Sequence, residues 1–443
     1  MKRLPIILGG IFISLLILLL PPLIHTTYGQ DLLVKNGKVV TLGKKGTIEG
    51  GDVLIEKGRI KKIGKGLRAP EGVRVIDASE MWVIPGIIDT HTHIGVEGGV
   101  NEGSNSVTSE VRIIDVIWPE NISIFYALTG GCTTCNTMHG SANTIGGQNV
   151  VIKNKWGVSA DELIYHRAPK ELKFALGENV KQSNFPRVSG QPRYPTTRMG
   201  VEALLRKKFT EARAYMKKWD DYNKQKKAGK NPIPPRRDLQ LDVLVELLQG
   251  KVRAQVHCYR ADEILMMLKV AEEYGFKISS LEHVLEGYKV ADAIAAHGAS
   301  CSTFADSWGY KMEAFDAIPY NSALLAEAGV NITINSDSGE RIRRLFQDAA
   351  KCVKFGGMSE EDALKTVTIN SAKCLGIDKW VGSIEEGKDG DLAIFNTNPL
   401  SAYTRCEMTI IEGKVYFDRK AYQEEMEKLR EEAKKKEEKK EKS

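Results

Sequence analysis

The feature that most constrains the fold is an apolar run that ends in two closely spaced histidines. Residues 82–88 are apolar apart from a Pro-Gly pair, and His91 and His93 follow them. We interpret the run as a β-strand buried on both faces, whose period of two directs both imidazoles to the same side. Two neutral imidazoles at the carboxyl end of a parallel strand suit a divalent cation such as Zn²⁺. A chance pair of histidines in a loop is the alternative, and further ligands downstream decide between the two.

Length and charge bound the class of protein. The 443 residues suit one large α/β barrel with an accessory module. The hydrophobic fraction of 42% and the charged fraction of 27% are ordinary for a soluble globular protein. The formal net charge of +6 is small for this length. Because no basic stripe with interleaved aromatic residues is present, the sequence predicts no nucleic-acid site.

Residues 1–29 have the order of a secretory targeting segment. Lys2 and Arg3 precede an apolar run over residues 4–20, and small or turn-forming residues follow up to Gly29. This order predicts a signal peptide cut after Gly29, and therefore a secreted or periplasmic protein. An uncleaved N-terminal anchor is the alternative, since the run is near the lower length limit for spanning a bilayer. That segment is the one membrane contact we expect.

Seven cysteines are scattered along the chain, so they cannot all pair. Cys132 and Cys135 form a CxxC motif inside a predicted strand. On a strand, residues i and i+3 point to opposite faces, so these thiols cannot share a metal or close a disulfide. We interpret them as small buried side chains.

Short strands with tight turns are predicted at both ends of the chain. The N-terminal set is 33–41 with a turn at Asn36-Gly37, 53–60 with a turn at Lys57-Gly58, and 73–77. The C-terminal set is 390–396, and 408–416 with a turn at Glu412-Gly413. Since neither set can close its own core, we predict one small β-sandwich composed of residues 30–80 and 381–418.

Strand and helix signals alternate over residues 81–380, which predicts a parallel sheet with helical crossovers. After the first strand, candidate strands lie at 132–138, 149–153, 171–176, 252–258, 277–283, 299–304 and 330–336. Helices are clearest at 260–274, 290–296 and 322–328, with an N-cap at Ser359 for a further one. Eight strands are the number in a (β/α)₈ TIM barrel, so the predicted class is α/β.

Two segments depart from this alternation. Residues 183–238, between the fourth and fifth strands, contain an amphipathic helix near 200–219 and a Pro-rich break at 231–235. This insertion belongs to the active-site face or its rim, as a lid or a partner contact. The tail, residues 419–443, is rich in Glu and Lys, which predicts a solvated helix or a disordered segment.

Three further candidate ligands lie at predicted strand ends. His257 ends the fifth strand, His283 ends the sixth, and Asp337 follows the eighth. A single histidine at a strand end is usually a hydrogen-bonded structural residue. Four histidines and an aspartate at the carboxyl ends of barrel strands are not independent accidents, so together they predict a metal centre.

With these motifs the chain resembles the metal-dependent amidohydrolase superfamily, nearest its imidazolonepropionase-like branch. The resemblance covers roughly residues 32–417. It rests on Pro-Gly-Ile-Ile-Asp-Thr-His-Thr-His at 85–93, the histidines after strands five and six, Asn-Ser-Asp at 335–337, and the return into the sandwich at 382–392.

The resemblance also implies a bridging ligand. In binuclear members a carboxylated lysine at the end of strand four bridges two metals, and Lys173 matches that position. A lysine inside an apolar strand is costly unless it is neutralised, which carbamylation would achieve. The alternatives are a lysine paired with an acid at the barrel mouth, and bridging by Glu178, since some relatives use a glutamate.

This site predicts hydrolysis of a C–N amide bond in a cyclic amide or a dipeptide-like substrate. Water on a metal has its pKa lowered from about 15.7 towards about 7 and becomes a hydroxide nucleophile. Asp337 would act as general base and then general acid. His139, in the glycine-rich segment after strand two, is a candidate substrate contact, or else caps a turn. Trp308, Tyr310 and Lys311 follow strand seven, where Lys311 would pair an anionic group.

We expect two Zn²⁺ ions, although such a site also accepts Mn²⁺, Fe²⁺ or Co²⁺. Two other functions stay open. One is a mononuclear deaminase of the same superfamily, which would not need Lys173. The other is a non-catalytic scaffold barrel, against which the retained ligands argue. Superfamily relatives are often dimers or larger, so a homo-oligomer of unspecified size is expected.

Overall fold

The structure is a computed structural model that describes residues 31–183 and 192–441. The predicted signal segment and its cut after Gly29 lie outside the described residues. In the part of the chain that is described, none of the helices combines the length and apolar composition needed to cross a membrane.

The strands in chain order are β1 (Leu32–Val40), β2 (Thr47–Glu56), β3 (Arg59–Gly64), β4 (Arg74–Asp77), β5 (Trp82–Pro85), β6 (Ile87–Thr92), β7 (Cys132–Thr137), β8 (Ile145–Lys153), β9 (Glu171–Ala175), β10 (Arg253–Cys258), β11 (Ile278–His283), β12 (Ser300–Thr303), β13 (Ile332–Ile334), β14 (Leu392–Phe395), β15 (Cys406–Ile411) and β16 (Lys414–Asp418). The helices are α1 (Ile122–Thr129), α2 (Ala160–Leu163), α3 (Gly177–Ser183), α4 (Arg198–Lys227), α5 (Leu239–Leu248), α6 (Ala261–Tyr274), α7 (Ala291–His297), α8 (Asn321–Glu327), α9 (Leu345–Gly356), α10 (Glu360–Lys365), α11 (Ile369–Leu375) and α12 (Arg419–Glu441).

Both ends of the chain contribute to one mixed sheet with the strand order β16-β15-β14-β5-β1-β2-β3, to which β4 is added alongside β1. The prediction that strands from both ends of the chain combine is therefore confirmed, and they form one mixed sheet. The turns at Lys57-Gly58 and Glu412-Gly413 have positive φ at both residues, which matches the twist of a tight hairpin. Buried aliphatic side chains from both ends of the chain form the core of this domain.

The predicted hairpin at Asn36-Gly37 is wrong. Residues 32–40 form one continuous strand, β1, paired with β2 on one side and with β4 and β5 on the other. Asn36 has φ +63°, and the register with β2 shifts around Gly37. The Asn-Gly pair therefore forms a bulge, because partners on both edges leave β1 no room to fold back on itself.

Strands β6 to β13 form a second eight-stranded sheet that curls into a nearly closed barrel. Its first and last strands approach each other, since Thr90 Oγ1 lies 3.0 Å from Thr333 Oγ1. The predicted helices of the outer layer are confirmed within a residue or two as α6, α7, α8 and α10. Ser359 Oγ accepts the N–H of Asp362 at the start of α10, as predicted.

The barrel is not wholly parallel, which corrects the prediction. Strand β8 pairs antiparallel with both β7 and β9. Residues 138–144 join β7 to β8 without a helix, and a parallel neighbour requires a much longer crossover. The connecting loop therefore lies at the same barrel end as the predicted ligands.

The apolar run 82–88 is two strands rather than one. β5 pairs with β1 and β14 in the mixed sheet, whereas β6 enters the barrel. Gly86 separates them, and a Cβ there would lie 2.2 Å from Thr133 Oγ1. The chain passes from one sheet to the other at a position that only glycine fills without displacing its neighbour.

The insertion is mainly a helix of the barrel wall. Helix α4 has 30 residues, more than predicted. Its buried side chains include Leu205 and Phe209, and the Phe209 ring stacks on that of Phe174 with centroids 6.1 Å apart. Since Phe174 belongs to β9, α4 occupies the place of a crossover helix, and the Pro-rich break follows it in irregular structure.

Two smaller predictions are resolved as well. The tail forms a largely exposed helix, α12, which is one of its two predicted alternatives. All seven cysteines are buried and unpaired. Burial raises the pKa of the Cys132 and Cys135 thiols well above the usual range, as expected of inert core side chains.

Candidate metal centre

Residues from three barrel strands meet at the carboxyl end of the barrel. His91 lies in β6, His283 ends β11, and Asp337 follows β13. One nitrogen or oxygen atom from each lies within 4.8 Å of the others. Residues almost 250 positions apart in sequence thus converge, which is the arrangement that a divalent cation requires.

His93 and His257 flank this group. His93 Nε2 lies 3.1 Å from Asp337 Oδ1, and its Nδ1 lies 2.9 Å from the carbonyl oxygen of Met138. The His257 ring centroid is 4.6 Å from that of His283. Among the described residues, His257 Nε2 and His283 Nδ1 have no hydrogen-bond partner. Buried polar atoms without partners are rare in folded proteins, so these nitrogens fit a missing ligand such as a cation.

The backbone at the site is unusual. His283 has φ +67° and Asp337 has φ +46°, in the left-handed region that non-glycine residues seldom adopt. The N–H of Asp337 donates to the carbonyl oxygen of His91 at 3.0 Å. Strained residues of this kind concentrate at functional sites, where the surrounding structure enforces them.

The protonation states also suit a cation. Burial, with the neighbouring Lys173, holds the pKa of His91 well below its usual range, and burial has the same effect on His257 and His283. Burial alone would raise the pKa of Asp337, but the adjacent His91 and His93 hold it well below its usual range. Neutral imidazoles and an ionised carboxylate are the forms that bind metals.

Lys173 lies in β9 with its side chain fully buried. Its Nζ is 3.1 Å from His91 Nε2 and 3.6 Å from the sulfur of Met138. Burial lowers the pKa of Lys173 to about 8. Glu178, the alternative bridging residue, lies in the first turn of α3, where its N–H donates to Glu313 at 2.8 Å.

His139 is engaged by the backbone. Its Nδ1 donates to the carbonyl oxygen of Gly140 at 2.8 Å, and its Nε2 accepts the N–H of Glu102 at 2.9 Å. Burial lowers its pKa to about 4, which keeps the ring neutral. This geometry favours the turn-holding alternative, and a substrate contact by His139 stays a prediction.

Glu282 and Asp89 were missed by the sequence analysis. The Oε2 of the buried Glu282 lies 3.2 Å from His91 Nδ1, which leaves His91 Nε2 directed towards Lys173 and Asp337. Asp89 accepts from Ser336 Oγ at 2.5 Å and from the N–H of His91 at 3.2 Å. A glutamate directly before a strand-end histidine was a usable signal, because glutamates are rarely buried unless paired.

Lys311 is not available for the anion predicted to pair with it. Its Nζ lies 2.9 Å from the buried Glu313 carboxylate and 4.0 Å above the Tyr259 ring. Tyr259 in turn stacks on His283, with centroids 5.2 Å apart and planes 11° apart. The loop after β12 therefore packs against Tyr259, which in turn contacts a candidate ligand.

The chain is similar in sequence to a known protein family and to several of its characterised members. The model of the amidohydrolase family matches residues 82–416. Amidohydrolase tasK of Hapsidospora irregularis is 28% identical over 374 residues, which cover 79% of this chain. The match spans only 38% of tasK itself. The imidazolonepropionase of Picrophilus torridus is 22% identical, with 72% of this chain and 80% of that protein covered.

One solved structure is especially similar. The amidohydrolase from Thermotoga maritima MSB8 superposes with a TM-score of 0.80 at 33% sequence identity. The match covers 88% of this chain and all of that one.

Proposed function

This chain belongs to the amidohydrolase family of hydrolases that act on C–N bonds, and on that premise we propose that it hydrolyses an amide with two Zn²⁺ ions. The observation that carries the proposal is the convergence of His91, His283 and Asp337 within 4.8 Å at the barrel mouth. The proposed substrate is a cyclic amide or a dipeptide-like amide.

His91, His93, His257, His283 and Asp337 would hold the cations, with a carbamylated Lys173 as a further ligand. The unpartnered nitrogens of His257 and His283 support this assignment within the described structure. When bound, such cations lower the pKa of a water molecule and polarise the scissile carbonyl.

Asp337 is the proposed catalytic residue. Its carboxylate is ionised and 30% exposed, so it is reachable from the mouth while it contacts His93. It takes a proton from the attacking water as the new C–O bond forms, and gives it to the amide nitrogen as the C–N bond breaks. The products are a carboxylic acid and an amine.

Lys173 is proposed to be carbamylated. With a pKa of about 8, an appreciable fraction of its amine is neutral near pH 7.5, and only the neutral amine attacks CO₂. The reaction forms an N–C bond, releases a proton and replaces a buried amine by a carbamate that offers two oxygens. Its 3.1 Å contact with His91 places that group beside the candidate ligands.

Metal counting on the purified protein tests this proposal. We expect two Zn²⁺ per chain, hydrolysis of members of a panel of N-acyl amino acids, dipeptides and cyclic ureides, and loss of that activity with a chelator. Lys173→Ala should bind one ion or none. One ion per chain in the wild type, with ammonia released from amino-substituted heterocycles, would favour the mononuclear deaminase. A metal-loaded protein inactive on every compound would favour a scaffold.

We also propose that the protein is secreted or periplasmic, which the order of its first 29 residues supports. The N-terminus of the exported protein tests this. A mature chain that begins at Gln30 agrees with the proposal, whereas an intact Met1 in the membrane fraction supports the anchor.

A further inference from the structure

The loop after β12, residues 304–320, carries a group of strongly exposed apolar side chains. In this loop, Met312 is 83% exposed, Phe315 is 76% exposed and Tyr310 is 54% exposed. Met199, at the start of α4, is 79% exposed. We call these four side chains the apolar rim. Single exposed apolar residues need no explanation, but a group of them in one loop marks a binding surface.

The apolar rim borders the candidate metal centre. The Tyr310 hydroxyl lies 2.6 Å from that of Tyr259, whose ring stacks on His283. At the start of the same loop, the Phe304 ring stacks on His283 with centroids 4.7 Å apart. A molecule whose amide reaches His283 therefore meets this loop next.

The charged groups around the apolar rim are paired with one another. Lys311 lies 2.9 Å from Glu313, and Arg198 lies 3.1 Å from Glu313 and 2.8 Å from Glu263. Both carboxylates are buried. These ion pairs join the loop to the first turn of α4, where Met199 follows Arg198. Because these charges are paired, the surface that the apolar rim exposes to solvent is apolar.

We propose that the apolar rim binds an uncharged apolar or aromatic group of the substrate, next to the scissile amide. This inference rests on the proposed function and names its substrate class. Four side chains offer roughly 400–600 Å², whereas a stable dimer interface needs about 800 Å² from each partner. The area is therefore large enough for a substrate group but too small for a stable dimer interface. A second copy of the chain bound there would also cover the mouth of the barrel.

The test compares matched amides with the zinc-loaded protein. N-benzoylglycine and N-succinylglycine differ in the acyl group, and N-acetylphenylalanine and N-acetylaspartate differ on the amine side. In at least one pair, kcat/KM should be about tenfold higher for the apolar member, the size of effect that a partly open apolar contact gives. Met312→Ser with Phe315→Ser should reduce that ratio to about threefold or less.

Tyr403→Ser is the matched control, because Tyr403 is 88% exposed in the loop between β14 and β15, outside the barrel. It should leave both ratios unchanged. Hydrolysis without a preference, or with a preference for the acidic members, overturns the inference and leaves the proposed function standing. Light scattering that shows a dimer in the wild type and a monomer in the double variant also overturns it.

A second readout separates the two claims. Isothermal titration should show the apolar member of at least one of the two pairs binding about tenfold more tightly, with the difference lost in the double variant. That result without any hydrolysis supports the apolar rim and refutes the proposed amide hydrolysis. Equal binding within both pairs refutes the apolar rim.

Discussion

Substitution of Glu282 should weaken metal binding without unfolding the barrel. Glu282 and His91 are both fully buried, and the carboxylate Oε2 lies 3.2 Å from His91 Nδ1. The two atoms are at ion-pair distance without a hydrogen bond between them, and the negative charge beside Nδ1 favours a proton on that nitrogen. Nε2, which faces Lys173 and Asp337, is then the nitrogen for the cation. Partners of this kind typically contribute 10- to 100-fold to metal affinity, about 1.4–2.8 kcal/mol.

Two substitutions of Glu282 should reduce zinc affinity to different extents. Glu282→Gln keeps a side chain of similar shape beside His91 but removes the charge, so we expect Zn²⁺ affinity to fall by about tenfold. Glu282→Ala also removes the side chain that packs beside the ring, so the ring is less well oriented and the loss should approach about 100-fold. Competition with a fluorescent zinc chelator measures the affinity, and circular dichroism checks that each variant is folded.

Glu171→Gln provides the control. Glu171 is also a buried glutamate of the barrel, 2% exposed at the start of β9, and it accepts from Asn136 at 2.9 Å. Its substitution should leave zinc affinity within about twofold of wild type, since it contacts none of the proposed ligands. Wild-type affinity in folded Glu282→Ala, or an equal loss in Glu171→Gln, would refute the reasoning.

Three further predictions concern stability. Burial lowers the pKa of Lys173 to about 8 from its usual 10.5, so between these values the unfolded chain binds more protons than the folded one. Metal-free, bicarbonate-free protein should therefore gain stability as the pH rises from about 8 to 10.5, and Lys173→Met should lack that gain in thermal melts. Lys153→Met should cost about 3–5 kcal/mol in urea denaturation, because it leaves the buried Asp391 without its cation, whereas Asp389 keeps Arg167. Gly86→Ala should cost about 1–3 kcal/mol, because its Cβ would overlap Thr133.

The Lys153 and Gly86 substitutions each have a matched control. Lys170→Met removes an exposed pair with Glu246 and should cost less than about 1 kcal/mol. Gly99→Ala adds a Cβ with no atom within 4 Å and should be nearly neutral. An equal loss of stability in Lys170→Met and Lys153→Met, or in Gly99→Ala and Gly86→Ala, would contradict the burial and packing arguments. Melting temperatures of wild type and Lys173→Met that change with pH in parallel would contradict the lowered pKa of Lys173.

The fold and the set of candidate ligands could be predicted because they depend on patterns that the chain repeats. Strands β6, β10, β11 and β13 each carry a histidine or aspartate at or shortly after the carboxyl end. The position of a side chain at a strand end is fixed by the period of the strand. His91, His257 and His283 were therefore identifiable without any knowledge of their neighbours in space.

What failed depended on partners that one segment cannot reveal. The Asn36-Gly37 pair has the composition of a hairpin turn, but strands from elsewhere occupy both edges of β1. The direction of β8 is set by the length of its connection rather than by its residues.

The central claim is that distant residues hold cations at one end of the barrel. Anomalous diffraction at the zinc edge, from crystals of the zinc-loaded protein, tests it most directly. We predict two peaks, at least one of them about 2.0–2.2 Å from a nitrogen of His91 or His283 and an oxygen of Asp337. Fully active crystals whose only anomalous peaks lie away from these side chains would contradict the account.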